Sequence, residues 1–207
     1  MTSIAVALIV AAVQPGSAAE AVQRAQEKVR VALNAWVKGQ GTARTHAREQ
    51  ARKAVADLID FDALSKATLG KKWDEIPAKD RTRYTSALRG AMETNYLTKM
   101  RQGKSADVER TRSEVLGEEQ QGGRTLVHSR VQSGEDSAAI DYVMEKGPKG
   151  WKAVDVITEG VSLVDTYREQ VAKQLQKKTL NDVIATLERK RKALEADLDK
   201  PAQEAAK

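Results

Sequence analysis

Three turn signals govern what this chain can build. Gln121-Gly122-Gly123, Ser133-Gly134-Glu135-Asp136 and Gly147-Pro148-Lys149-Gly150 divide residues 108–158 into four short runs. Breaks this short leave no room for crossover helices, so successive strands must be antiparallel hairpin neighbours. The clearest alternation places Ala138, Ile140, Tyr142 and Met144 on one face and Ser137, Asp141 and Glu145 on the other. A four-stranded antiparallel meander with one apolar face is predicted. Such a sheet requires helices to cover that face.

The rest of the chain supplies them. Val22, Ala25, Val29, Leu33, Trp36 and Val37 follow helical spacing, and Gly39-Gln40-Gly41 ends the run. A second helix is predicted over Thr42 to Leu58, with Ala47, Ala51, Val55 and Leu58 on one side. Asp60 suits the N-cap of a short third helix, and Gly70 suits its end. Pro77 fits the first turn of a long helix reaching about Arg101, with Tyr84, Leu88, Ala91, Met92, Tyr96 and Met100 as its stripe. After the strands, Ser162 and Asp165 form a capping signature ahead of Leu163, Tyr167, Val171 and Leu175. A last helix opens at Thr179-Leu180-Asn181-Asp182 and runs through Val183, Ile184, Leu187, Leu194 and Leu198. Pro201 onward reads as a disordered polar tail, residues 201–207. The fold class is α+β: a curved sheet packed against N- and C-terminal helices, one domain over residues 20–200.

Composition narrows the chemistry. The 207 residues suffice for one domain with a real core, and aromatics make up only 4% of them, so that core is aliphatic. No cysteine is present, which excludes disulfides, zinc–thiolate sites and a cysteine nucleophile. The net charge of +6 points to a solvated surface, an anionic lipid or an acidic partner. No basic block or recognised motif points to nucleic acid.

The N-terminus reads as a leader. Residues 4–13 are an apolar run too short to span a bilayer comfortably, and Gln14-Pro15-Gly16 breaks it. Ser17-Ala18-Ala19 then offers small residues at the positions a signal peptidase needs. Residues 1–19 are therefore expected to be a secretory signal peptide, with the mature chain starting near Glu20. A basic n-region is missing: Thr2 and Ser3 carry no charge.

No catalytic or metal-binding set emerges. Ser65, Ser86 and Ser162 lack a nucleophile-elbow context, and no phosphate-binding glycine loop is present. Asp155 and Glu159 are imaginable as an acid–base pair, but each reads more simply as a solvated or ion-paired carboxylate. Trp36, Trp73 and Trp151 read as packing anchors, and His128 as a surface residue of a strand. Binding is the function class that remains.

Four stretches, in order, resemble the MlaC family, also called the toluene-tolerance auxiliary family. They are "LIDFDALSKATLGKKW" (58–73), "RTRYTSALRGAMETNYLTKM" (81–100), "GWKAVDVITEGVSLVDTYREQV" (150–171) and "LNDVIATLERK" (180–190). The resemblance implies a periplasmic phospholipid-binding protein of a Gram-negative bacterium, with phospholipid as cargo and no cofactor. It implies lipid exchange with an inner-membrane ABC-transporter complex containing an MCE-domain protein, and with an outer-membrane lipoprotein complex. It also implies an NTF2-like or cystatin-like curved sheet with acyl chains held between sheet and helices.

On that reading the candidate lipid-binding residues are Leu88, Met92, Tyr96, Ile140, Tyr142, Val154, Val156, Val161, Leu163, Val164 and Tyr167. Lys152 and Arg168 are candidates for meeting a phosphate or an acidic partner. Two other readings stay open. One is an NTF2-like enzyme with an isolated carboxylate in its pocket. The other is a lipid-free periplasmic interaction or chaperone protein whose interior is filled by its own side chains.

Overall fold

The computed structural model describes residues 13–102 and 110–199. Most of the expected leader and the whole tail from Pro201 lie outside the described residues. Five helices come first: α1 (Ala18–Lys38), α2 (Gly41–Leu58), α3 (Phe61–Leu69), α4 (Lys72–Glu75) and α5 (Ala78–Gln102). The sheet follows as β1 (Arg112–Gln121), β2 (Arg124–Ser133), β3 (Asp136–Gly147), β4 (Gly150–Thr158) and β5 (Val161–Ser162). Two helices close the chain, α6 (Leu163–Leu175) and α7 (Leu180–Asp199). Among the described residues no helix is long and apolar enough to cross a membrane.

The three predicted turns are hairpin turns, and the strands pair in sequence order, every neighbour antiparallel. The sheet has five strands, not four. Glu159 and Gly160 both have positive φ, +50° and +78°. Two left-handed residues in a row reverse a chain within two positions. Val161 and Ser162 therefore pair back on Thr158 and Ile157 before α6 begins. In sequence, Glu159-Gly160 looks like a plain break because Glu rarely adopts that conformation.

β4 would otherwise present a bare edge. Beyond β5, the α2–α3 junction covers it: Ile59 bridges Ala153, and Asp60 N–H donates to the Ala153 carbonyl at 2.9 Å. The predicted caps form. Asp60 Oδ1 accepts from Ala63 N–H at 2.9 Å, and Gly70 ends α3 at φ +58°. Ser17 caps α1, so Ala18 and Ala19 make its first turn, both buried against the sheet.

The core falls into three clusters. Ala18, Ala19, Val22 and Leu58 pack on Val115, Val127, Met144 and Ala153 of the sheet. Helices alone build the second, in which Phe61, Leu64, Tyr84, Leu88, Met92, Val164, Tyr167, Val171 and Ile184 meet. The third joins Trp36, Leu33, Ala47 and Ala51 to Leu97 and Leu198. α5 touches two of them and is the central helix. Ala91, Met92, Glu93 and Thr94 are buried in succession, which no single-face helix allows.

Glu93 is the one buried carboxylate among them, 4% exposed. Its Oε1 accepts from Arg89 Nε at 2.7 Å, and Arg52 Nε of α2 stands 3.9 Å from Oε2. Arg52 and Arg191 both reach Glu195 of α7, at 3.2 and 3.0 Å. Arg191 lies over Gly90, where a Cβ would come within 2.7 Å of its Cδ. Burial pushes the Glu93 carboxyl up, against the pull of Arg89, Arg52 and Arg191. The native state thus holds a proton where the unfolded chain does not. This contribution to stability is complete below the unfolded carboxylate pKa of about 4.3 and is lost as pH rises through the folded value. Urea midpoints at pH 7 and pH 5 test it: wild type should gain stability relative to Glu93→Gln on acidification, and parallel curves would refute it.

Candidate functional site

Register fixes which sheet residues face the helices. Val115, Ser129, Ile140 and Thr158 form one cross-strand row, and Val127, Tyr142 and Val156 the next. Beyond them lie Thr125, Met144 and Ala153. Coverage is uneven. Val127, Met144 and Ala153 are sealed under the first turns of α1. Ile140, Tyr142 and Val156, nearer the other end, are only half-buried.

Gln26 of α1 faces this half-covered region, while Tyr96 of α5 packs against the cluster around Trp36 and Leu97. Gln26 Nε2 donates to Ser129 Oγ at 3.0 Å and reaches Tyr142 Oη at 3.5 Å. Ser129 Oγ in turn donates to the Ile140 carbonyl at 2.6 Å. Burial pushes the Tyr96 phenol up, and the Tyr142 phenol nearby adds to the shift. Burial also raises Tyr142, opposed by the Gln26 bond. Each ring is half-buried.

The remaining candidates occupy different places. Leu88, Met92, Val164 and Tyr167 are buried in the all-helical cluster, with Leu163 packed against it. Val154 is buried at the irregularity where β3 and β4 shift register. Val161, on β5, is 61% exposed. The structure thus brings Ile140, Tyr142 and Val156 together on the sheet, packs Tyr96 with the cluster around Trp36 and Leu97, and groups the α6 residues with α3 and α5. Nothing in a helical or alternating pattern separates these surroundings, since all require apolar side chains. Gln26 and Ser129 are missed by sequence reading, because each looks like a solvent-facing polar residue.

A crevice of about 360 Å³ opens between the end of α3 and α6, lined by Leu69, Gly70, Lys72, Arg168, Val171, Ala172 and Leu175, among others. Arg168 is tethered there: its Nε donates to the Ala67 carbonyl at 3.0 Å, and it pairs with Asp165. Lys152 is elsewhere, donating to the Asp57 carbonyl.

The carboxylates considered for acid–base work are occupied. Asp155 Oδ1 accepts from Val156 N–H at 2.8 Å and Val164 N–H at 3.0 Å, while Oδ2 accepts from Ser162 Oγ at 2.5 Å. It therefore ties β4 to the first turn of α6, where a carboxylate complements the helix dipole. Glu159 Oε1 accepts from Ala139 N–H. The three tryptophans sit in three places, each beneath a different cation: Arg44 over Trp36, Arg81 over Trp73 and Lys146 over Trp151. They form no cage. His128 lies on the outer face of the sheet, 3.0 Å from Asp141. Among the described residues no cluster of three or more His, Asp or Glu could hold a metal ion.

A protein-family model described as MlaC protein matches residues 23–189. Among solved structures, the chain is similar to a phospholipid-binding protein from Ralstonia solanacearum, determined in complex with a phospholipid. The two are 18% identical, with a TM-score of 0.72 over 86% of this chain and 99% of that one. At that identity the likeness is one of fold. No curated protein matches.

Asp155→Ala should strand the Val164 N–H and the Ser162 hydroxyl and cost about 2–3 kcal/mol. Urea denaturation measures this, with Asp155→Asn expected to lose less. An unchanged midpoint for the alanine variant would rule out the junction's role.

Proposed function

Since the chain belongs to the MlaC family, we propose that it is a periplasmic phospholipid carrier. It holds acyl chains against the half-covered inner face of the sheet and moves lipid between an inner-membrane ABC-transporter complex with an MCE-domain protein and an outer-membrane lipoprotein complex. The apolar run of residues 4–13 would direct it across the inner membrane. The observation that carries this reading is the inner-face set Ile140, Tyr142 and Val156: mainly apolar, and left half-buried by the protein's own side chains. The phospholipid held by the Ralstonia protein of similar fold supports it. The register shifts between Val115 and Gly117 and between Val143 and Met144 favour a curved, NTF2-like or cystatin-like sheet, because bulges bend strands.

The physics suits a carrier. Each buried methylene is worth about 0.8 kcal/mol against water, and a diacyl lipid carries roughly 30, giving a gross term on the order of 25 kcal/mol. A bilayer offers nearly the same term, so a cavity as apolar as a membrane suffices and membrane partners set the direction. Aliphatic residues build such a site without reactive groups. The enzymatic alternative needs an isolated pocket carboxylate. Glu93, the buried carboxylate whose pKa is raised, stands instead among three guanidinium groups, which favours binding over catalysis.

The test is native mass spectrometry with lipid extraction on the full chain produced in a Gram-negative periplasm. Phospholipid should co-purify. Val156→Trp, which sets a large ring on the inner face, should lower lipid occupancy severalfold, and Val31→Trp on the exposed side of α1 should not. Wild-type protein that emerges empty and takes no lipid from vesicles would overturn the reading.

A further inference from the structure

Three residues at the start of α1 satisfy two readings at once. As sequence, Ser17-Ala18-Ala19 offers small residues where a signal peptidase cuts. In the structure each is small for a reason of its own. Ser17 is the N-cap of α1, its Oγ accepting from Glu20 N–H at 3.1 Å. Glu20 Oε2 accepts in return from Gly16 N–H at 2.5 Å, so Ser-x-x-Glu works as a capping box whose return bond falls one residue early. Ala18 and Ala19 are 0% and 3% exposed. They pack with Val22 on Val115, Val127, Met144 and Ala153, where longer side chains would overfill the contact.

The segment is also tied to distant parts of the chain. Ala19 N–H donates to Glu118 Oε2 of β1 at 2.6 Å. Trp151 Nε1 of β4 donates to the Gly16 carbonyl at 2.9 Å, across 135 residues, and Lys146 lies over the same ring. The chain around this turn therefore reaches across the sheet from β1 to β4. Cleavage after Ala19 would remove all of it. It would take away the cap, uncover Val127 and Met144, and set a new α-ammonium group at the positive end of the helix dipole.

We infer that residues 16–19 stay on the mature protein and that the signal peptidase cuts upstream of Gly16, where Ala11 and Ala12 again supply small residues. This rests on the export that the carrier reading requires, and adds where the leader ends. The apolar run exports the chain, and the Ser-Ala-Ala that follows it builds the fold.

The experiment expresses the full chain, with its own N-terminus and a C-terminal tag, in a Gram-negative host. Intact mass and N-terminal sequencing read the periplasmic protein. The apolar run should be gone, and the mature chain should begin at or before Gly16. A start at any later residue, Glu20 above all, overturns the inference and leaves the carrier standing. Two full-length variants give a second readout. Ser17→Ala keeps a small residue for the peptidase but removes the cap. Ala18→Leu changes only the middle position, which the peptidase pattern leaves free. With residues 16–19 retained, Ser17→Ala should lower the melting temperature of the purified periplasmic protein by about 2–4 °C, and Ala18→Leu by more. With those residues removed, both variants would yield the wild-type mature protein, and unchanged mass and melting overturn the inference. If Ala18→Leu fails to fold, Ser17→Ala and the wild-type mass still decide. A chain that keeps its whole apolar run overturns the upstream cut, and one that keeps it in the cytoplasm overturns the carrier reading as well.

Discussion

An antiparallel sheet with one apolar face cannot complete its own core. Here the polar face is secured by cross-strand pairs, Arg124 with Glu145 and His128 with Asp141. The other face must be covered by helices delivered from both ends of the chain. α1 arrives from one side and seals the rows around Val127 and Met144. α6 follows β5, and the Asp155 carboxylate ties β4 to its first turn. α5 lies between these arrivals and packs more against helices than against strands. Where the helices pack against one another instead of against the sheet, the end of the sheet around Ile140 is left half-covered.

Much of this was legible in the residues. Turns announce themselves because glycine most readily adopts the backbone they need, and Gly122, Gly134 and Gly150 each have positive φ. Caps announce themselves through a short side chain three residues before its backbone partner, as at Asp60 and Ser162. The fifth strand was hidden because it depends on a glutamate in a conformation that glutamates seldom take. The division of apolar residues between a helical core and a half-open sheet face was hidden for a different reason. Leu88 and Ile140 obey periodicities that report which side is dry, not what lies opposite.

Charge was harder still to read. Glu93 sits one position after Met92 and looks like a helix-surface residue. It is buried because α2 and α7 bring Arg52 and Arg191 to it from distant parts of the chain, and that proximity leaves no local trace. Gly90 has the opposite problem. In a helix it reads as a weakness, yet the missing side chain makes the groove in which Arg191 lies. Part of a basic composition that suggests a solvated or ligand-binding surface therefore serves to join three helices around a buried carboxylate.

The meander has a further consequence, in time rather than space. Each strand pairs with the one just before it, so the sheet grows by closing only short loops. The helix layer is assembled over long separations: Arg52 meets Glu195 across 143 residues, and Gln26 meets Tyr142 across 116. Loop-closure entropy favours early pairing of the sheet over the long-range docking of α1 and α7. Run backward, the same order makes the helices the first to detach. The protein then has a route to opening its interior that leaves the hairpins intact.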